Sequence, residues 1–181
     1  IDTGRIIDHK RLAIPDDANV EWVYDHLMHL GAELCIETVD HILQNDGKVE
    51  TTEQPQDQPL KHAPKIFKET CQIDWSQPAK RIYDFIRGLS PYPGAWTEIQ
   101  KEGTDADNKP QVLKIFSTIK TQMPASAQPG TFVVEGNRLF VNTADNLLEL
   151  EEIQLAGKKR MASRDFLNGT RDANLYHAIS K

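Results

Sequence analysis

The sequence predicts the tail of an α/β domain followed by a small, mainly β barrel with a leading helix. Helical periodicity dominates residues 19–46, five short alternating segments crowd the region after residue 95, and a proline-rich polar stretch separates the two. A change of charge falls at the same place. Residues 1–60 hold 4 Lys/Arg against 13 Asp/Glu, a balance of −9, whereas the remainder holds 17 against 14, a balance of +3. The split predicts two units with different partners, and any polyanion is expected to meet the second.

Residues 5–7 (Arg-Ile-Ile) and 11–14 (Arg-Leu-Ala-Ile) are expected to be short strands, with Pro15 ending the second. A helix is expected from Asn19, because Val20, Val23, Tyr24, Leu27, Leu30, Leu34, Val39, Ile42 and Leu43 recur at spacings near three and four. Asp16, Asp17 or Asn19 supplies its cap and Gly47 its stop; Gly31 is tolerated within. Two short strands and a helix cannot close a core, so this segment is expected to finish a larger sheet domain. The stretch "TTEQPQDQPLKHAPK" has no periodicity, and residues 51–72 are expected to be an extended linker.

A second helix is expected over "DWSQPAKRIYDFIRGL", capped by Asp74 or Ser76, with Ala79, Ile82, Tyr83, Ile86 and Leu89 on its apolar face. Alternation then predicts strands at 95–99, 112–119, 131–135, 138–143 and 147–155, with turn chemistry in "EGNR" and "ADN". Five short strands and a helix fit a small antiparallel barrel. "SRDFLNG" is expected to close the domain as a helical turn capped by Ser163, and the last ten residues are expected to fray.

Composition excludes several classes. No apolar run is long enough for a membrane helix, and no basic-then-apolar leader is seen. The chain starts at Ile1, which suggests a fragment. Cys35 and Cys71 match no metal or redox spacing and are expected to be buried free thiols in a reducing compartment. His26 and His29 have a ligand-like spacing on the first helix, but no third ligand stands nearby; ordinary helix histidines and no metal are expected.

The informative candidates are one acid and several cations. Asp2, before Thr3 and Gly4, sits on a tight turn that could present its carboxylate to a cleft or simply form the turn. Lys61, His62, Lys65 and Lys68 line the linker, either as solvated polar residues or as phosphate contacts. "AGKKRM" concentrates Lys158, Lys159 and Arg160 at a glycine turn after a strand. Exposed cations commonly serve solubility; clustered on a rigid corner they also bind phosphate through counterion release. Arg87, Arg164 and Arg171 could extend the patch. Arg87 could instead be structural, and Trp75 and Trp96 are expected to be core rather than stacking faces.

The motifs occur in one order: "DTG-x-II", "HAPKI-x-K", "IDWS" through "IRGLSPYPGAW", "LKIF", "QLAGKKRM" and "DFLNG". Together, from Ile1 to Gly169, they resemble bacterial methionyl-tRNA formyltransferases. "IRGLSPYPGAW" and "QLAGKKRM" are the specific ones; "DTG" alone is weak. The resemblance implies a Rossmann-like formyltransferase domain ending at residues 1–50, a linker at 51–72 and an OB-like tRNA-binding barrel at 73–181. It implies formyl transfer from 10-formyltetrahydrofolate to methionyl initiator tRNA, with the donor bound mainly by residues upstream. The family's catalytic Asp falls on Asp2, which would orient a histidine and assist proton transfer; the matching Asn and His belong upstream, so the chain alone is expected to be inactive. Lys65, Lys68, Lys158, Lys159 and Arg160 become candidate tRNA contacts. A cytoplasmic monomer with no membrane partner is expected. Two rival readings stay open: a formyltransferase acting on a sugar nucleotide or another amine, and a non-catalytic RNA-binding barrel.

Overall fold

The structure, a computed structural model, describes all residues except 1–2, 56–58, 60, 103–108, 171 and 180–181. The chain divides into two compact units, Ile1–Lys65 and Ile66–Lys181.

The first unit is built around α1 (Val20–Gln44), whose start is capped by the Asn19 side chain accepting from the Trp22 amide at 2.9 Å. The expected strands are corrected here. Only Ile6 pairs, through a two-bond bridge with Thr52, and residues 11–14 form no strand. β propensity alone does not make a strand, because the backbone groups need a ladder partner. Arg5 reinforces the bridge by bonding the Thr51 hydroxyl at 2.6 Å and the Glu53 carboxylate at 2.6 Å. No residue of α1 is buried, and Tyr24, Leu27, Met28, Ile36, Val39 and Leu43 stand exposed. For the same reason Cys35 is exposed, against expectation; Cys71 is buried. The His26 ring stacks on Trp22 at 3.7 Å and its Nδ1 lies 2.7 Å from the Trp22 carbonyl, which gives it a local partner.

The second unit opens with a 3-10 turn at Lys68–Cys71, where extended chain is expected. Thr70 decides this locally, its hydroxyl bonding both the amide and the carbonyl of Phe67. Helix α2 (Ala79–Leu89) follows with Ala79, Ile82, Ile86 and Leu89 buried, the face that the periodicity predicts. Seven strands are described: β1 (Ala95–Lys101), β2 (Gln111–Pro124), β3 (Phe132–Glu135), β4 (Arg138–Asn142), β5 (Asn146–Leu155), β6 (Met161–Ala162) and β7 (Tyr176–Ile179), with α3 (Ser163–Gly169) between the last two. They form one antiparallel sheet in the order β3-β4-β5-β2-β1-β7, with β6 on β5.

The two strands that the sequence leaves unpredicted are β6 and β7. The expected fraying of the last residues is wrong over 176–179, because β7 pairs with β1 from Glu98↔Ile179 to Lys101↔Tyr176. The sheet curls into a half-barrel, helped by register breaks in β2 at Ile115/Ser117 and Lys120/Pro124. Its two ends touch at one bridge, Thr131↔His177. Gly130 permits that approach: its φ is +88°, and a Cβ there would lie 3.2 Å from the Ala178 Cβ. Inside lie Ile86, Ile99, Leu113, Ile115, Phe132, Leu139, Leu150 and Ile153, each contributing about 1.5–3 kcal/mol by leaving water. Trp75, 1% exposed, joins this core and donates its indole N–H to Thr97 at 3.2 Å.

Buried polar groups tie the loops to the core. Asn142, fully buried, accepts from the amides of Ser126 and Ala127 and donates to the Thr131 carbonyl, so one side chain fixes the approach to β3. Capping of the later helices also differs from expectation. Asp74 bonds Ser76 and Gln77 and leaves α2 without a local side-chain cap. The Ala79 amide is met at 2.7 Å by Asp145, from the turn before β5. Ser163 does not cap α3: Ala162 holds the extended capping position, and the buried Ser163 hydroxyl finds no partner among the described residues.

The remote cap gives a pH signature. The Ala79 amide, and after it the Thr143 hydroxyl and the Asn146 amide, hold the Asp145 carboxyl below its ordinary value of 3.8. A depressed folded-state pKa means stabilisation that is present above the unfolded value and lost as pH falls through the folded one. Asp145→Ala is therefore expected to cost about 1 kcal/mol at neutral pH. The gap to wild type should close below about pH 4. Denaturant midpoints of both proteins at neutral and acid pH check this, and an equal gap at both would remove Asp145 as an ionised cap.

Candidate nucleic-acid interface

The cationic turn joins β5 to β6. Gly157, at φ +75°, reverses the chain, and the Lys158 amide donates to the Leu155 carbonyl at 2.9 Å. Gln154 then clasps the turn, its Nε2 donating to the Lys158 carbonyl at 2.9 Å. Lys158, Lys159 and Arg160 are all exposed. They are not equivalent. Arg160 pairs with Glu152 at 2.5 Å and lies over the Phe116 ring at 4.3 Å from its centroid, so its charge is already partnered within the protein. Lys158 and Lys159 project from a corner braced through the Lys158 backbone.

The pleat continues the patch across the sheet. Trp96 of β1 faces Lys114 of β2, and Lys114 faces Gln154 of β5. All three are half-buried and alternate with the buried Ala95, Thr97, Leu113, Ile115 and Ile153, which puts them on the opposite face of the sheet, with Trp96 also touching the margin of the core cluster. Phe116 belongs to that same face, outside the core cluster and under Arg160. At the far end Trp96 donates its indole N–H to the Lys68 carbonyl at 2.8 Å, and the Lys68 ammonium lies 5.6 Å from the ring centroid. One row thus links Lys68 to the 158–160 turn through Trp96, Lys114 and Gln154.

Of the sequence candidates, the fold brings Lys68, Lys158, Lys159 and Arg160 into this row. Lys65 is exposed and closes the first unit, and Asp2 and Arg171 lie outside the described residues. Arg164 is exposed and sits 3.8 Å from Asp165. Arg87 bonds Asp84 at 2.9 Å and lies 5.8 Å from the Tyr83 centroid. Trp96 meets the expectation in part: it is half-buried and packs against the margin of the core cluster, while its strand position is opposite in parity to the fully buried Ala95 and Thr97. Sequence reasoning missed Lys114 and Phe116. Their signal was present as the outward positions of the alternating "VLKIF", but a cation on a strand is ordinary until its neighbours are known.

This geometry defines a class first: a curled antiparallel half-barrel led by one helix, with a cationic outer face. The chain belongs to the formyl transferase C-terminal domain family, whose model matches residues 65–171. Curated relatives named methionyl-tRNA formyltransferase include one from Bacteroides fragilis, 47% identical over 93% of this chain and 52% of its own length. Another, from Phocaeicola vulgatus, is 48% identical over 96% of this chain and 53% of its own. The chain thus spans about half the length of the curated relatives it matches. Among solved structures, a variant of HypX from Aquifex aeolicus aligns with a TM-score of 0.62 at 15% identity, over 92% of this chain and 28% of that one. HypX in complex with tetrahydrofolic acid aligns at 0.61 with the same identity and coverage. At that identity the likeness concerns the fold alone.

Proposed function

We propose that the chain is the C-terminal portion of a methionyl-tRNA formyltransferase. The observation that carries this is the identity of 47–48% over 93–96% of the chain to relatives bearing that name. In the whole enzyme the formyl carbon of 10-formyltetrahydrofolate accepts the α-amine of methionyl initiator tRNA. A carbon–nitrogen bond forms, the bond to the donor's nitrogen breaks, and the proton lost by the amine ends on that nitrogen.

In this reading residues 1–50 finish a Rossmann-like catalytic domain, 51–72 link it to the barrel, and 73–181 form an OB-like tRNA-binding domain. Asp2 is the catalytic acid of the "DTG" motif and orients a histidine supplied by the rest of the enzyme. Lys65, Lys68, Lys158, Lys159 and Arg160 meet the tRNA backbone, a role supported by the exposure of the turn and by the row that ends at Lys68. The reading further takes the whole enzyme to be a cytoplasmic monomer without metal; separately, no helix among the described residues is long and apolar enough to cross a membrane. The test offers the complete protein methionyl initiator tRNA and, separately, a nucleotide-linked amino sugar, each with 10-formyltetrahydrofolate. Formylation of the tRNA is expected; formylation of the sugar alone would overturn the assignment.

A further inference from the structure

We infer that the outer sheet face around Trp96 is a stacking platform for unpaired nucleotides, so that this unit contacts bases as well as phosphates. The inference rests on the RNA-binding reading above and adds a different kind of contact to it. Backbone contacts need only cations. This face carries aromatic rings between its cations: Trp96 is half-buried, Phe116 is buried beneath Arg160, and Phe67 and Tyr92, on the segments that flank the face, are open to solvent.

Trp96 is held by its N–H bond to the Lys68 carbonyl, which fixes the ring plane at the sheet edge. Phe67, 59% exposed, immediately precedes Lys68. Tyr92, 84% exposed, stands on the turn between α2 and β1. That turn is tied to the same face, since the Lys114 ammonium donates to the Pro93 carbonyl at 3.4 Å and Gly94 packs against Lys114 and Phe116. Exposed rings on two segments that are each tied to one polar face are informative, because single exposed apolar residues are commonplace and repeated ones around one site are not.

The charge pattern selects the occupant. Lys68 lies over Trp96 and Arg160 over Phe116, Lys114 stands opposite Trp96, and Lys158 is on the adjoining turn; of the carboxylates, Glu152 is engaged by Arg160, Glu98 shares the Trp96 face two residues along β1, and Glu69 follows Lys68. Rings interleaved with cations match a strand whose bases alternate with phosphates, each base stacking on a ring while a lysine follows the backbone. A duplex cannot use the platform, because its base faces are already stacked. Lys68 lies near the outer limit of cation–π range from Trp96. A base entering this face displaces the ammonium, which then meets the adjoining phosphate.

The test measures binding of the 181-residue chain to an oligouridylate single strand and to a short RNA duplex, over a range of salt. Trp96→Leu is expected to weaken single-strand binding about fivefold or more, the loss of one stacked base. The duplex affinity and the salt slope should not change. Trp96→Phe keeps a ring and should retain most of the affinity. Tyr92→Ala alters a residue that the fold barely uses and should weaken the single strand alone. Lys114→Ala should instead lower the single-strand salt slope by roughly 0.7. Equal losses on both RNAs, or no loss in the Trp96→Leu and Tyr92→Ala variants, would overturn the platform while leaving backbone binding intact. A wild-type chain that binds neither RNA overturns both.

Discussion

Asp2→Asn in the complete enzyme is expected to lower turnover by roughly 10²–10⁴-fold, the range that a positioned acid–base group contributes. Affinity for the initiator tRNA should stay near wild type. The asymmetry follows from the chemistry. The attacking amine must shed a proton as the carbon–nitrogen bond forms, and a carboxylate beside the catalytic histidine favours the protonated ring that carries that proton. The amide of Asn fills the same space and can still bond the histidine, but it supplies no charge and favours the wrong tautomer. Binding of the tRNA draws on cations spread over the protein and does not need this group. Single-turnover rates together with equilibrium binding separate the two effects. Turnover near normal would show that the "DTG" match carries no catalytic role in this chain.

Lys158→Glu with Lys159→Glu is expected to give the largest loss in tRNA affinity, roughly tenfold or more at low salt. The dependence of log affinity on log salt should flatten by about two, one counterion for each lost phosphate contact. This pair is chosen over Arg160 for a structural reason. Arg160 neutralises Glu152 and covers Phe116, so Arg160→Glu would set two carboxylates together and uncover a ring. A weaker complex would then mix lost binding with local damage. Lys158 and Lys159 project from a turn held by backbone and Gln154 bonds, which the substitutions leave in place. Affinity unchanged at every salt concentration would return these lysines to a solubility role.

How much of this was legible before any coordinates differs by element. The buried face of α2 was legible, because a 3.6-residue period is a property of the segment alone and Ile82, Ile86 and Leu89 obey it. The strands β1 to β5 were legible for the same kind of reason. Strand β7 was not: Tyr176–Ile179 is short and terminal, and only the open edge of β1 makes it a strand. The cap of α2 was hidden for a related reason, since Asp145 stands 66 residues from Ala79 and resembles any turn aspartate. The apolar stripe of α1 was read correctly as a pattern, yet it leaves no residue fully buried: Val23, Leu30, Leu34 and Ile42 are only half-covered, because the described residues of the first unit form no sheet for it to cover.

The candidate site divides in the same way. The three cations after Gly157 are a local cluster, and their exposure at a turn follows from the glycine and from the end of the preceding strand. Their extension to Lys68 is tertiary. It needs Trp96, Lys114 and Gln154, which belong to three strands and meet only through register. Sequence by itself determined the order of the elements, the charge difference between the two parts and the motifs that place the barrel in its family. The tertiary structure alone decided which face Trp96 occupies, which cation is already paired and where the sheet closes. Period and propensity act between residues close in the chain, whereas a row of side chains across a sheet exists only once strand pairing has set which residues stand opposite one another.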